Sequence, residues 1–252
     1  MPNILVIQHV PHERLGTFEA VFKKAGCAIV SLGASNPKAR WPEASAIDAL
    51  VVMGGPMGVY EQGKYPFLKK EIMLIRQALE KRLPILGVCL GSQLLAAALG
   101  AKVQKNPAGK EIGWYALMRE PAADEDPLCA AFGQTETVFQ WHGDMFALPK
   151  KAVRLFSSPL CQEQAFRYGD NAYGLQFHVE VTEAMIRAWL ANAENKKELS
   201  SLKGQIDPAV IRAQTAAPIS RLEELSRHIA ETFCGFLDTS PTRKGSPAHA
   251  RR

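Results

Sequence analysis

One cysteine of this sequence lies in a setting that suits nucleophilic chemistry. Cys89 has glycines two positions before and after it, in the run Leu86-Gly87-Val88-Cys89-Leu90-Gly91-Ser92-Gln93. An apolar segment precedes the cysteine and a Leu- and Ala-rich helical segment follows, so the run predicts a strand, a tight turn and a helix. Such a turn holds the thiol at a helix N-terminus, where the dipole favours the thiolate. A buried cysteine in a glycine-rich turn is the structural alternative.

A thiol nucleophile needs a base, and His178 and Glu180 are the best candidate pair. They lie two residues apart in Gln176-Phe177-His178-Val179-Glu180, at the end of a predicted strand. Because alternate residues of a strand face the same side, the carboxylate is expected beside the imidazole, where it stabilises the imidazolium. Such a pair also occurs on solvated strands, but its apolar neighbours favour a buried strand.

A third glycine-containing run supplies candidate hydrogen-bond donors. Gly54-Gly55-Pro56-Met57-Gly58 follows another predicted strand. Its backbone N–H groups suit one half of an oxyanion hole, and the N–H of Leu90 suits the other half. A plain tight turn is the alternative. The run is not a phosphate loop, because no Lys-Ser/Thr follows it.

The other histidines and the cysteines point to no further chemistry. His142 is a competing base, to which we assign a role in the binding wall or in structure. His9 and His12 follow the first strand, at an end that lines active clefts in α/β sheets, but a surface loop is the expected setting for both. The five cysteines are widely spaced without a Cys-x-x-Cys pair, which argues against a disulfide framework and a zinc site. No metal-ligand cluster and no dinucleotide fingerprint occurs, so the sequence predicts neither a metal nor a cofactor.

Composition excludes two classes of partner. Of the 252 residues, 47% are hydrophobic and 22% charged, as in ordinary globular proteins. The net charge of +5 falls to near +1 without the four basic residues of segment 239–252, so no nucleic-acid partner is expected. No apolar run reaches the ~20 residues that span a bilayer, and no signal peptide opens the chain. We therefore expect a cytoplasmic protein without membrane contact.

The elements that must position these residues alternate between strands and helices. The first half predicts strands at Ile4–Val10, Cys27–Leu32, Ala46–Met53 and Pro84–Val88, and helices at Thr17–Ala25, Phe67–Arg82 and Ser92–Leu99. The second half predicts strands at Ile112–Met118, Glu136–Trp141, Val153–Ser157, Gln164–Arg167 and Ala172–Phe177, and helices at Glu183–Ala193 and Ile219–Leu237. This pattern indicates an α/β protein with a mostly parallel central sheet, helices on both faces and a small antiparallel extension.

The chain is expected to form one domain. We predict a domain over residues 1–238, with Lys203–Pro218 as a connector between helices, and a disordered basic tail over 239–252.

Together the runs resemble the class I, or triad, glutamine amidotransferases. The resemblance covers roughly residues 3–190 and rests on the order and spacing of Gly54-Gly55-Pro56, Gly87–Gln93, His142-Gly143-Asp144 and Gln176–Glu180. It implies the flavodoxin-like fold of that family. It also implies a catalytic triad of nucleophile, base and orienting carboxylate, namely Cys89, His178 and Glu180. The oxyanion donors and the residues that hold the glutamine α-groups would be Gly55, Leu90, Gln93, His142 and Gly143.

The implied reaction is hydrolysis of a γ-glutamyl amide, glutamine to glutamate and ammonia, through a glutamyl thioester. The sequence looks like the glutaminase domain of GMP synthase but contains no Ser-Gly-Gly-x-Asp-Ser loop, so a separate synthetase subunit would use the ammonia. Segments such as Lys110–Trp114 look more like the stand-alone branch with γ-glutamyl peptidases, which makes a hydrolase of glutathione-like compounds the alternative. A non-catalytic binding or regulatory module, or another elbow-cysteine family, remains open.

Overall fold

The computed structural model describes residues 1–202 and 204–239. The strands of this part are β1 (Asn3–Gln8), β2 (Ala28–Gly33), β3 (Ala49–Val52), β4 (Ile85–Val88), β5 (Val103–Lys105), β6 (Glu111–Arg119), β7 (Thr135–His142), β8 (Asp144–Phe146), β9 (Val153–Ser157), β10 (Ala165–Tyr168) and β11 (Ala172–Leu175). The helices are α1 (Phe18–Lys24), α2 (Phe67–Glu80), α3 (Leu90–Ala98), α4 (Glu183–Ala191), α5 (Ala193–Ser201), α6 (Pro208–Thr215) and α7 (Ile219–Thr239).

Nine strands form one sheet in the order β2-β1-β3-β4-β11-β10-β9-β6-β7. The first five run parallel, and the remaining four extend the sheet antiparallel. A separate two-stranded sheet pairs β5 with β8. The predicted fold class is confirmed, although the sequence interpretation missed these two short strands.

Helices cover both faces of the parallel half, which explains its continuous apolar strands. Alternate residues of β1 face opposite sides. Leu5 and Ile7 pack in a core cluster with residues of α2 and α3, whereas Ile4 and Val6 pack in a cluster with residues of α1, α4 and α7. Both faces of the parallel half of the sheet, which contains the strands that lead to the candidate site, are therefore covered by helices.

The structure corrects the sequence interpretation at the end of β11. The predicted strand continues to Phe177, but β11 ends at Leu175. His178 forms only an isolated bridge to Phe139, and its N–H donates to the carbonyl oxygen of that residue at 2.8 Å. The predicted strand was therefore two residues too long, because the chain leaves β4 after Leu175 and His178 meets β7 instead.

The segment after α4 is more helical than predicted. Asn192 caps α5, accepting the N–H groups of Glu194 and Asn195, and Asp207 caps α6. α6 lies inside the segment that the sequence interpretation treated as a connector, of which Lys203 is outside the described residues. The sequence interpretation gave too little weight to these two capping side chains.

The C-terminal helix ends the described part of the chain. α7 includes Thr239, and residues 240–252, which make up the rest of the predicted tail, lie outside the described residues. Within the described residues no helix combines the length and the apolar character that a membrane crossing requires.

Candidate active site

Three neighbouring strands bring the candidate residues to one edge of the sheet. β3, β4 and β11 lie side by side and parallel, with Val52 paired to Gly87 and Val88 to Leu175. The residues just beyond their carboxyl ends therefore meet, as is typical for ligand sites of α/β sheets. A cleft of about 550 Å³ opens there, lined among others by Gly55, Cys89 and His178.

Cys89 occupies the strained turn that the sequence predicts. It sits between β4 and α3 with φ 51° and ψ −110°, a conformation that is costly for a residue with a side chain. A β-carbon on Gly87 would lie 2.5 Å from the carbonyl oxygen of Gly91, and one on Gly91 would lie 2.0 Å from that of Val52. Both glycines are needed because strand and helix cross without room for a side chain.

The thiol of Cys89 is buried among polar groups. The residue is 6% exposed, and its Sγ lies 3.7 Å from the carbonyl oxygen of Trp141 and 3.7 Å from Nε2 of Gln176. Burial raises the pKa of the thiol, whereas His178 and the backbone N–H of Leu90 act to lower it. The thiolate thus depends on these two neighbours for its stability.

His178 and Glu180 form a tight buried pair. Nδ1 of His178 lies 2.7 Å from Oε1 of Glu180, and both side chains are 1% exposed. Burial is the largest single influence and would lower the pKa of His178, but the combined effects of Glu180 and Cys89 outweigh it and leave the pKa well above its ordinary value. With Nδ1 donating to the carboxylate, Nε2 is the nitrogen available to Cys89, and Trp189 packs edge-on against the ring at 4.9 Å.

Two backbone N–H groups face the same space. Leu90 is the first residue of α3, and its backbone N–H hydrogen bonds to the Cys89 thiol. Gly55 lies between His9 and Leu90, since a β-carbon on it would be 2.9 Å from a side-chain carbon of each. No backbone carbonyl of the described residues accepts the Gly55 N–H. The Gly55 N–H, at the edge of the cleft, therefore has no backbone acceptor in the described part of the chain, whereas the Leu90 N–H already contacts the thiol.

The remaining predicted residues form one wall of the cleft. Gln93 is 3% exposed, and its Nε2 donates to Oε1 of Gln176 at 3.0 Å. His142 lies with Nδ1 3.0 Å from the carbonyl oxygen of Asp144 and Nε2 2.9 Å from Glu111. Both ring nitrogens are thus engaged, so His142 is not available as a base. Gly143 also lines the cleft.

His9 is not in a surface loop, and that prediction was wrong. It is 3% exposed, with Nδ1 2.9 Å from the carbonyl oxygen of Gly54 and Nε2 3.0 Å from Glu71. Glu71 is a fully buried glutamate on the apolar face of α2, between Leu68 and Ile75. An acidic residue at an inward helical position was the signal that could have revealed the pair.

Glu13 is a further residue of the cleft that the sequence did not reveal. A β-carbon on Gly54 would lie 2.1 Å from Oε2 of Glu13 and 3.3 Å from Cε1 of His178, so both side chains reach the same point. Burial raises the pKa of Glu13 to about 7, against the opposing effect of His178. No local sequence pattern indicated that a carboxyl group with this raised pKa lies beside the candidate base.

The outer wall of the cleft comes from α5. Glu198 pairs with Lys110, whose side chain lies over Gly143, and accepts the indole N–H of Trp141 at 3.0 Å. Glu194 lines the same side. These residues of α5 line the same cleft as Cys89 and His178.

A buried group behind the wall has the composition of a metal site. Potential ligand atoms of Glu111, His142 and Cys161 all lie within 4.8 Å of one another. Glu111 is already hydrogen bonded to His142, Ser158 and Gln164. Burial raises the pKa of Cys161 to about 12, which disfavours the thiolate that a metal would need. We therefore assign a structural role to Glu111, His142 and Cys161.

Comparisons with known proteins identify the family of this chain. The family model described as glutamine amidotransferase class-I matches residues 19–193. The chain belongs to the class I glutamine amidotransferase family. The matched segment contains β2 to β11, and with them the strained cysteine and the histidine–glutamate pair.

Several relatives of this amidotransferase are known. It is 38% identical over 167 residues to the glutamine amidotransferase-like protein YfeJ of Salmonella typhimurium, a match that covers 65% of this chain and 69% of that one. It is 34% identical over 147 residues to one subunit of the glutamine-hydrolyzing GMP synthase of Saccharolobus solfataricus, over 55% of this chain and 70% of the relative. The crystal structure of a glutamine amidotransferase from Thermotoga maritima superposes with a TM-score of 0.83 at 38% identity, over 92% of this chain and 98% of that one.

Proposed function

We propose that this protein hydrolyses a γ-glutamyl amide, with glutamine as the first substrate to test, through a glutamyl thioester on Cys89. The observation that carries the proposal is the strained Cys89 beside the buried His178–Glu180 pair, whose 2.7 Å contact leaves the second imidazole nitrogen for the thiol. A strained nucleophile persists only where the surrounding structure enforces it, as the crossing of β4 and α3 does.

The proposed reaction has two steps. His178 takes the thiol proton, the thiolate of Cys89 attacks the carboxamide carbon, and the N–H groups of Gly55 and Leu90 stabilise the resulting oxyanion. The imidazolium then donates its proton to the leaving nitrogen, and ammonia departs. Water next attacks the thioester with His178 again as base, which releases glutamate. Glu180 keeps the imidazole oriented and stabilises its charge in both steps.

The fate of the nitrogen separates two forms of this proposal. One relative belongs to a GMP synthase, which favours a glutaminase that supplies a separate synthetase. The shape of the cleft favours a second form, since it extends past Cys89 to Tyr60, Lys105 and Glu194. That space accommodates a leaving group larger than ammonia, as a γ-glutamyl peptidase acting on glutathione-like compounds requires.

The first experiment is to incubate the purified protein alone with glutamine and, separately, with glutathione, and to quantify glutamate. Cys89→Ala is expected to abolish release, whereas Cys129→Ala, which removes a buried cysteine outside the cleft, should retain it. Rapid cleavage of glutathione with slow glutamine turnover would establish the peptidase form. Slow turnover of both, with Cys89 labelled by a glutamine-like electrophile, would favour the synthetase-dependent form. Glutamate release by Cys89→Ala would overturn the proposal.

A further inference from the structure

A buried histidine–glutamate pair lies directly beneath the Gly54-Gly55 turn. His9 follows β1 and Glu71 comes from α2, and their side chains are both fully buried. His9 reaches the turn because β1 and β3 are neighbours in the sheet, with Ile7 paired to Val52. No other side chain of the described residues donates to the carbonyl oxygen of Gly54, so His9 is the group that holds it.

The hydrogen bonds determine which nitrogen of His9 carries a proton. The carbonyl oxygen of Gly54 only accepts, so Nδ1, at 2.9 Å, must be protonated and donate to it. Nε2 lies 3.0 Å from Oε2 of Glu71, whose other oxygen is buried without a partner among the described residues. Burial is the largest single influence and would lower the pKa of His9, but Glu71, the Gly54 carbonyl and Glu13 together outweigh it and leave the pKa raised. An imidazolium facing a carboxylate satisfies every one of these contacts.

The same hydrogen bond determines the direction of a neighbouring donor. The carbonyl of Gly54 and the N–H of Gly55 belong to one peptide unit, which is trans, so the two groups point in opposite directions. With the carbonyl directed into the core at His9, the N–H is directed away from the core, and Gly55 lines the cleft with Cys89. A peptide between two glycines rotates easily unless a partner holds it.

We propose that His9 is a positioning residue of the oxyanion hole, which holds the Gly54–Gly55 peptide so that the Gly55 N–H faces the scissile carbonyl. Glu71 in turn orients the ring of His9. The inference rests on the proposed hydrolysis, because the oxyanion forms only in that reaction. It assigns a role in catalysis to a histidine that does not itself touch the substrate.

Two variants distinguish the effect of the hydrogen bond that His9 donates to Gly54 from the effect of the charge on the His9–Glu71 pair. His9→Leu alone would leave Glu71 buried without its partner, so the double variant His9→Leu/Glu71→Met removes both groups. Glu71→Gln removes the charge but lets the carboxamide donate to Nε2, so that a neutral His9 still donates from Nδ1 to Gly54. Each variant is assayed for steady-state hydrolysis and for alkylation of Cys89 by iodoacetamide, which forms no oxyanion.

We expect the double variant to lose about 100-fold in kcat, the effect of removing one oxyanion donor, with KM and the alkylation rate changed less than about threefold. Glu71→Gln should keep kcat within about fivefold of the wild type. Unchanged hydrolysis in the double variant would overturn the proposal, and so would a parallel loss of hydrolysis and alkylation.

A second measurement is independent of turnover. ¹⁵N NMR of histidine-labelled protein should show Nδ1 of His9 protonated at neutral pH, both in the wild type and in Glu71→Gln. A neutral ring protonated only at Nε2 would refute the proposed role even if no γ-glutamyl amide is a substrate. Failure of the wild type to hydrolyse any γ-glutamyl amide, with the expected NMR signal present, would instead count against the proposed function.

Discussion

At the scale of single residues, one kind of pair occurs three times around the cleft among the residues that the structure describes. In each case a buried histidine contacts a buried glutamate, and the pairs are His178–Glu180, His9–Glu71 and His142–Glu111. The three pairs differ in the group that the second ring nitrogen of the histidine contacts. In two pairs it donates to a backbone carbonyl and holds the local structure, whereas in His178 it remains available to the thiol. The partner of the second nitrogen therefore decides the chemistry of the residue.

Glu13 supplies a prediction of stability against pH. Burial raises its pKa from 4.5 to about 7 in the folded protein, so the folded state binds this proton more tightly than the unfolded state. The wild type therefore loses stability as pH rises from about 4.5 to about 7. We expect Glu13→Gln to be more stable than the wild type at pH 8, by about 1 to 3 kcal/mol after allowance for solvent screening, and equal to it near pH 4.5.

Urea unfolding at several pH values measures this difference. Glu19→Gln is the matched control, because Glu19 is an exposed partner of Lys23 and its loss should change stability by less than about 0.5 kcal/mol at any pH. Equal stability of Glu13→Gln and the wild type at pH 8 would show that the Glu13 carboxyl is not buried as described.

At the scale of elements, the crossing of β4 and α3 decides whether Cys89 can adopt its strained conformation. A methyl group on Gly91 would lie 2.0 Å from the carbonyl oxygen of Val52 in β3, which belongs to rigid sheet backbone. We expect Gly91→Ala to displace α3, to destabilise the protein by about 3 kcal/mol or more, and to abolish rapid alkylation of Cys89.

A glycine in another helix provides the control for Gly91→Ala. Gly235 in α7 has open space where a β-carbon would lie, so Gly235→Ala should stabilise the protein by about 0.5 to 1 kcal/mol. Thermal unfolding and the rate of Cys89 labelling are measured for both variants. Similar behaviour of the two alanines would mean that helix propensity, and not the tight crossing, determines the need for glycine in the elbow.

At the scale of the whole molecule, the core beside the active site continues into the C-terminal helix. Phe233 of α7 packs against Phe22 of α1, and both belong to the hydrophobic cluster that contains Cys89 and Val88. Ser226 of α7 also meets Thr17 at 2.5 Å. We therefore propose that residues 1–238 fold as one domain and that α7 unfolds together with the site.

Phe233→Ala tests this proposal. Loss of a fully buried phenylalanine should cost about 3 to 5 kcal/mol, and the whole protein should still unfold in one transition. Tryptophan fluorescence, to which Trp189 beside His178 contributes with the three other tryptophans, and far-ultraviolet circular dichroism should shift together. Two separate transitions, with only one moved by the substitution, would indicate two folding units.

The sequence by itself determined the features that depend on neighbours in the chain. The cysteine elbow occupies eight contiguous residues, and His178 and Glu180 are two positions apart, so each group can be recognised from a short stretch of sequence. The alternation of apolar strands and helices likewise predicted the parallel sheet, because burial on both faces requires it.

The tertiary structure alone decided the contacts between distant segments. His9 and Glu71 are separated by 62 positions, and Lys110 and Glu198 by 88. Their meeting depends on the order of strands and the docking of α2 and α5, which no local periodicity encodes. The same is true of Glu13, whose raised pKa arises from the burial that the folded cleft imposes and not from its neighbours in the chain.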